Sequence, residues 1–123
     1  MSNTCIRVLA DPVQIRDCKE TLDRLDDDLQ EATQLFKLAG SATRMKILFL
    51  LHRESKMCPC DISDVLNISV GGISQHLRKL KDRGVVHDKK VGQTVFYSIR
   101  KDKNAVLKTL FELMIPQEKP IIS

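Results

Sequence analysis

Ser69-Val70-Gly71-Gly72-Ile73-Ser74-Gln75-His76-Leu77-Arg78-Lys79-Leu80, followed after three residues by Gly84-Val85-Val86, decides the fold. Ile73, Leu77 and Leu80 recur at steps of four and three, which is one apolar stripe of a helix, and these three read as core. Ser69 is a good helix cap, and Gly84 stops a helix that runs to about Arg83. The opposite side of that helix offers Ser74, Gln75, Arg78 and Lys79. Upstream, Asp61 starts a short helix over Ile62 to Leu66, and Asn67-Ile68-Ser69 makes a tight connection. A short helix, a three-residue turn and a second helix ending in glycine form the helix-turn-helix pattern.

Working outward, the period changes after Gly84. Residues 85–91 and 94–99 are rich in β-branched and aromatic side chains, with Gly92-Gln93 between them. This predicts a two-stranded hairpin, the wing of a winged helix-turn-helix. Towards the N-terminus, Leu22, Leu25, Leu29, Ala32, Phe36 and Ala39 predict one amphipathic helix that Gly40 ends. Ser41 caps the next, a largely buried helix carrying Met45, Leu48, Phe49, Leu51 and His52. A last helix runs from about Lys103 to Met114, and its apolar positions cover too much of its circumference for one small core. The expected organisation is an irregular arm over 1–20 with a turn at Asp11-Pro12, a winged-helix domain over 21–115 and a tail over 116–123. The fold class is mainly α with a β-hairpin wing.

The 123 residues suit one compact domain, and 29% charged against 42% apolar residues is the balance of a folded chain. The apolar run Ile47–Leu51 is far below the roughly 20 residues of a membrane helix. No leader pattern opens the chain, so a cytoplasmic location with reduced thiols and no membrane partner is expected. Residues 1–40 hold 5 basic and 8 acidic side chains, a net of −3, whereas residues 41–123 hold 15 and 8, a net of +7. Within 78–103 there are 9 basic and 3 acidic residues. A basic stretch alone is as readily a solvated face; beside a helix-turn-helix it points to an anionic partner. Aromatics are 4% with no Trp, which argues against base-stacking single-strand or RNA readers and for a double helix gripped through its phosphates. Small Ser69, Gly71 and Gly72 let the helix N-terminus approach the major groove, where Gln75 suits adenine and Arg78 suits guanine. Lys89 and Lys90 flank the hairpin turn within reach of phosphates, and Gln93 in the turn belongs with them.

Cys58-Pro59-Cys60-Asp61 carries a different chemistry. In an extended segment, residues two apart point to the same side, so both thiolates would face one ion. Metal–sulfur distances of about 2.3 Å suit tetrahedral zinc, and soft thiolates favour thiophilic ions generally. Two sulfurs rarely complete a site, and Cys5 and Cys18 of the arm are the other available thiols. The same pair also suits a redox or persulfide switch, forming a disulfide or reacting with sulfur species. A small dithiol oxidoreductase has nothing beyond the pair to support it. There is no thioredoxin-like βαβ pattern, no Gly-rich phosphate loop and no nucleophile–base arrangement, so no enzyme and no organic cofactor are expected.

Ser69 to Leu80 with Gly84-Val85-Val86 resembles the recognition helix and wing entry of the ArsR/SmtB metal-sensing repressors. Leu38-Ala39-Gly40-Ser41-Ala42-Thr43-Arg44-Met45-Lys46-Ile47-Leu48 resembles that family's second-helix entry. The resemblance covers about residues 30–114 and brings His76 into the recognition-helix set. It implies a homodimer that represses transcription at double-stranded operator DNA, an imperfect inverted repeat, and leaves it when an inducer binds. The last helix and the Leu22–Ala39 helix would form the dimer interface. Cys58-x-Cys60-Asp61 resembles the box at the start of the third helix in the arsenic- and cadmium/lead-sensing branches. In the cadmium/lead branch, N-terminal cysteines of the opposite subunit complete the site, which implies that role for Cys5 and Cys18, although their separation is wider than that branch shows. The family's second, zinc-type site needs Asp-x-His and later ligands; Asp102-Lys103-Asn104 with no later His implies its absence. The inducers that fit are cadmium, lead, mercury, arsenite and zinc.

Overall fold

The computed structural model describes residues 9–114, so Cys5 and the tail over 116–123 lie outside the described residues. The chain divides into two compact units, Met1–Gln34 and Leu35–Ser123. In the first, helix α1 spans Pro12–Arg24. The Asp11 carboxylate accepts the Val13 and Gln14 N–H groups, each at 3.1 Å. Pro12 sits in the first turn, where a missing N–H costs nothing. Asp11-Pro12 is therefore a helix start and not a turn in an irregular arm. The helix has no buried residue, so no apolar period marks it in the sequence, and the cap alone identifies it. Leu25 caps α1 and interrupts the helix, and α2 begins at Asp26 and ends at Ala39. The single helix expected over 22–39 is two. Asp26, Asp27 and Asp28 occupy the first turn of α2, where the helix dipole favours negative charge.

The second unit holds the end of α2, α3 (Ala42–Glu54), α4 (Pro59–Leu66), α5 (Val70–Asp82), β1 (Val86–Val91), β2 (Thr94–Ile99) and α6 (Lys101–Met114). Ser41 caps α3 by accepting the Arg44 N–H at 3.3 Å. Arg44 in turn donates from Nε to the Leu38 carbonyl at 2.6 Å, satisfying a carbonyl in the last turn of α2. Asn67 closes α4 in the left-handed region at φ 59, a conformation that Asn tolerates better than most residues. Ser69 then caps α5, its hydroxyl accepting the Gly72 N–H at 3.1 Å. These two caps set the turn between α4 and α5.

One core joins the pieces of this unit. Ile47, Leu48 and Leu51 of α3 meet Ile62 of α4, Ile73, Leu77 and Leu80 of α5, and Leu107 and Phe111 of α6. Val85, Val86 and Ile99 close it from the wing. The strands run antiparallel, with Val86 opposite Ile99, Asp88 opposite Tyr97 and Val91 opposite Thr94. Gly92 takes φ +64 in the two-residue turn, while Gln93 does not share a positive φ, the pattern of a type II′ hairpin turn. Met57, just after α3, pairs with Tyr97 in a single antiparallel bridge at the outer side of β2. None of the described helices is long and apolar enough to cross a membrane.

Leu77 is completely buried. Leu77→Ala should cost about 2–5 kcal/mol, read as a lower urea midpoint with an unchanged slope; a loss below about 1 kcal/mol would show that the α5 stripe is not packed as described.

Candidate DNA-binding face and thiol site

Burial of Ile73, Leu77 and Leu80 turns the other side of α5 outward. Ser69, Gly71, Gln75, Arg78 and Lys79 are exposed, and Gly72, Ser74 and His76 are partly buried. The two glycines differ. A Cβ at Gly72 would meet Ile68 Cγ2 and Ser69 Oγ, both at 3.2 Å, so the turn itself needs a small residue there. A Cβ at Gly71 would meet nothing within 4 Å. Nothing inside the molecule requires a glycine at 71, where it weakens the helix by about 1 kcal/mol relative to alanine. In the wing, Lys89, Lys90 and Gln93 are exposed. Arg78, Lys89 and Lys90 form no ion pair with any described residue.

Two basic residues of this region are already engaged. Lys81 Nζ lies 3.0 Å from Asp88 Oδ2, tying the last turn of α5 to β1. The hydrogen bond to Asp88 raises the Lys81 pKa above its ordinary value. Arg44 sits close enough to His76 to act on it. Burial, then the charges of Arg44 and Lys79, push His76 below the ordinary imidazole value. Sequence reasoning missed the Arg44 and Lys81 contacts. Asp88, the lone acid of a basic strand, was the visible signal for the second.

The thiols stand at the start of α4. Cys58 is its N-cap residue, with extended backbone at φ −90 and ψ 158 and no side-chain capping bond. Pro59 opens the helix, and Cys60 and Asp61 lie in its first turn. The extended segment expected through Cys60 is therefore extended only at Cys58. The reason is Pro59: it keeps its predecessor out of the helix, yet its own φ is preset for the first helical position. Strand alternation does not place the two sulfurs; a helix start does. Cys58 is partly buried and Cys60 exposed, and both are free thiols. Cys18, expected in an irregular arm, is an exposed residue of α1, and Cys5 lies outside the described residues. Among the described residues, no group of three or more His, Cys, Asp and Glu is placed to hold an ion. His52 packs its ring 5.5 Å from that of Phe111, and His87 is exposed on β1.

The family described as bacterial regulatory protein, arsR family, matches residues 41–88, from the α3 cap into β1. A cadmium resistance transcriptional regulatory protein, CadC, of Listeria innocua is 33% identical over 96 residues, which span 78% of this chain and 78% of that protein. The chain belongs to the ArsR/SmtB family of metal-sensing transcriptional repressors. It is thus a regulator and not an enzyme. The arsenical resistance operon repressor of Escherichia coli is 38% identical over 66 residues, covering 54% of this chain and 56% of that one. Among solved structures, the transcriptional regulator HlyU of Vibrio vulnificus superposes with a TM-score of 0.69 at 28% identity, over 77% of this chain and 99% of its own. Its fold is the winged helix-turn-helix described above.

His76 sets a pH dependence for this ArsR-family chain. Its depressed value means that the folded state favours neutral imidazole, while the unfolded chain takes up a proton near pH 6.5. The associated stability is present above that pH and is lost as pH falls through the lower folded value. Urea midpoints should fall between about pH 7.5 and 5.5, and His76→Gln should flatten the fall; an unchanged slope in the variant would remove His76 as its source.

Proposed function

We propose that the chain works in the cytoplasm as a homodimeric repressor that grips operator DNA with α5 and the wing. It releases that DNA when Cys58 and Cys60 take a thiophilic metal ion. The observation that carries the DNA half is Gly71: an exposed position in the first turn of α5 carries no side chain although no internal contact demands it. A closely approaching surface explains that choice. Gln75 and Arg78 stand on the same outward face and suit base edges, whereas Lys79, Lys89 and Lys90 suit phosphates. Ser69, Gly72, Ser74, His76 and Gln93 complete the set.

Unpaired apolar surface supports the dimer. Leu22, Leu25 and Leu29 are 57%, 41% and 45% exposed in the first unit, and Val106, Leu113 and Met114 are 51%, 81% and 60% exposed on α6. A single chain leaves these in water, and a second copy covers them. The two-fold dimer then faces an imperfect inverted repeat with half-sites about one turn or more apart.

The chemistry of the thiol pair supports the effector half. Cys58 does not spend its sulfur on capping, Cys60 is open to solvent, and both lie at the start of α4. Asp61 adds a carboxylate in the same turn. Cys5 and Cys18 are proposed as the further ligands. Cadmium, lead, mercury, arsenite and zinc are the candidate effectors, with cadmium favoured by the CadC relative. In linkage terms, the dimer free of DNA binds the ion more tightly than the operator complex does. The exposure of Cys60 beside a second thiol favours one other reading, a redox or persulfide switch at the same pair. Loss of free thiols on inducer treatment without bound metal identifies that reading.

Cys58→Ser and Cys60→Ser should leave operator affinity intact and abolish release by metal, measured by anisotropy of labelled operator; full release in both variants refutes the thiol site. Gly71→Ala should stabilise the fold by about 0.5–1 kcal/mol and weaken operator binding. Arg78→Ala should weaken binding as well. Unchanged affinity in both variants would take α5 off the DNA.

A further inference from the structure

The residue that leads into the thiols is bridged to the wing. Met57 donates its N–H to the Tyr97 carbonyl at 3.1 Å, and Tyr97 donates its N–H to the Met57 carbonyl at 2.9 Å. Cys58 is the next residue in the chain. Met57 and Tyr97 are both partly buried against the core, where such hydrogen bonds are stronger than in water. Lys56 adds to the seam, its Nζ lying 5.0 Å from the Phe96 ring centroid. Across the hairpin, Tyr97 stands opposite Asp88, whose carboxylate holds Lys81 in the last turn of α5. A continuous physical path therefore joins Cys58 to both DNA-facing elements. It runs through the backbone bridge to β2, then to Asp88 on β1, then to α5.

Ser55 supplies the give in this path. It has φ 73 and ψ −41, a sterically costly backbone for a residue with a Cβ. It lies two residues before the bridge, between a helix locked in the core and a residue hydrogen-bonded to the wing. Rearrangement at Cys58 cannot be absorbed at Met57 without breaking two hydrogen bonds. While the bridge holds, the part of that rearrangement that reaches Met57 moves β2, with Ser55 as the pivot.

We propose that the Met57–Tyr97 bridge is the positioning element through which occupation of Cys58 and Cys60 is transmitted to the wing and to the end of α5. This rests on the thiol reading above and names the route of its regulation. Lys89 and Lys90 stand one and two residues beyond Asp88, on the turn side of the bridge. A rotation at Tyr97 is carried to them over one or two residues, about 3–7 Å of strand, and withdraws both lysines from the phosphates.

The test uses the full-length reduced chain, cadmium ion as probe and labelled operator. Met57→Pro removes the N–H donor of the bridge and leaves both cysteines in place. Cadmium should still give the sulfur-to-metal charge-transfer band, and operator affinity without cadmium should stay within about 3-fold of wild type. The cadmium-induced loss of affinity should fall from at least about 10-fold to below about 2-fold. A variant that keeps the full loss overturns the relay. Hydrogen exchange on the wild-type chain decides the matter if the variant does not fold. Cadmium should change protection at the Met57 and Tyr97 amides and along the hairpin, whereas unchanged protection there with DNA release intact overturns the relay. Absence of a charge-transfer band that depends on Cys58 overturns the thiol reading itself, so the two failures are distinguishable.

Discussion

The buried stripe of Ile73, Leu77 and Leu80 is the constraint on which the DNA-facing side depends. All three side chains have no solvent exposure, and burying each contributes about 1.5–3 kcal/mol. That energy fixes the rotation of α5 about its axis. Once the stripe is inside, Gly71, Gln75 and Arg78 have only solvent, or a partner, to face. The caps at Asn67 and Ser69 set where the helix starts, and the Lys81–Asp88 pair ties its end to the wing. Orientation, start and end of the reading helix are thus set by three separate interactions, and the first provides most of the energy.

The thiol pair occupies a junction within the same unit. Pro59 opens α4 and places Cys58 as its cap, so the pair sits at the positive end of a helix that packs directly on α5. Met57 places it equally against the wing. The proposed metal site therefore differs from a site on a loop. A change in the shape of the Cys58–Cys60 segment acts on α4 on one side and, through Met57, on the hairpin on the other. A member of a metal-sensing repressor family needs such a junction if ion and DNA are to compete through structure without sharing atoms.

Local periodicity and capping made most of the fold legible in the sequence. The α5 stripe, the Ser41 and Ser69 caps, the Gly92 turn and the β-branched strands each signal through residues a few positions apart. The failures had equally physical causes. Helix α1 buries nothing, so periodicity missed it and Asp11-Pro12 was read as a turn although it is a cap. The Cys58–Cys60 geometry turned on whether Pro59 ends an extended segment or begins a helix, and spacing alone does not decide that. The Met57–Tyr97 bridge joins residues 40 positions apart and leaves no local trace. Met57 and Ser55 therefore escaped notice beside the cysteines.

The central claim is that one chain binds operator DNA and gives it up to a thiophilic ion. Fluorescence anisotropy of the reduced wild-type protein on its own upstream DNA, at fixed salt, tests it most directly. Cadmium, lead, mercury, arsenite and zinc are titrated in turn. The account predicts tight binding that one or two of these ions release by at least about 10-fold. Tight binding that none of them disturbs would contradict it.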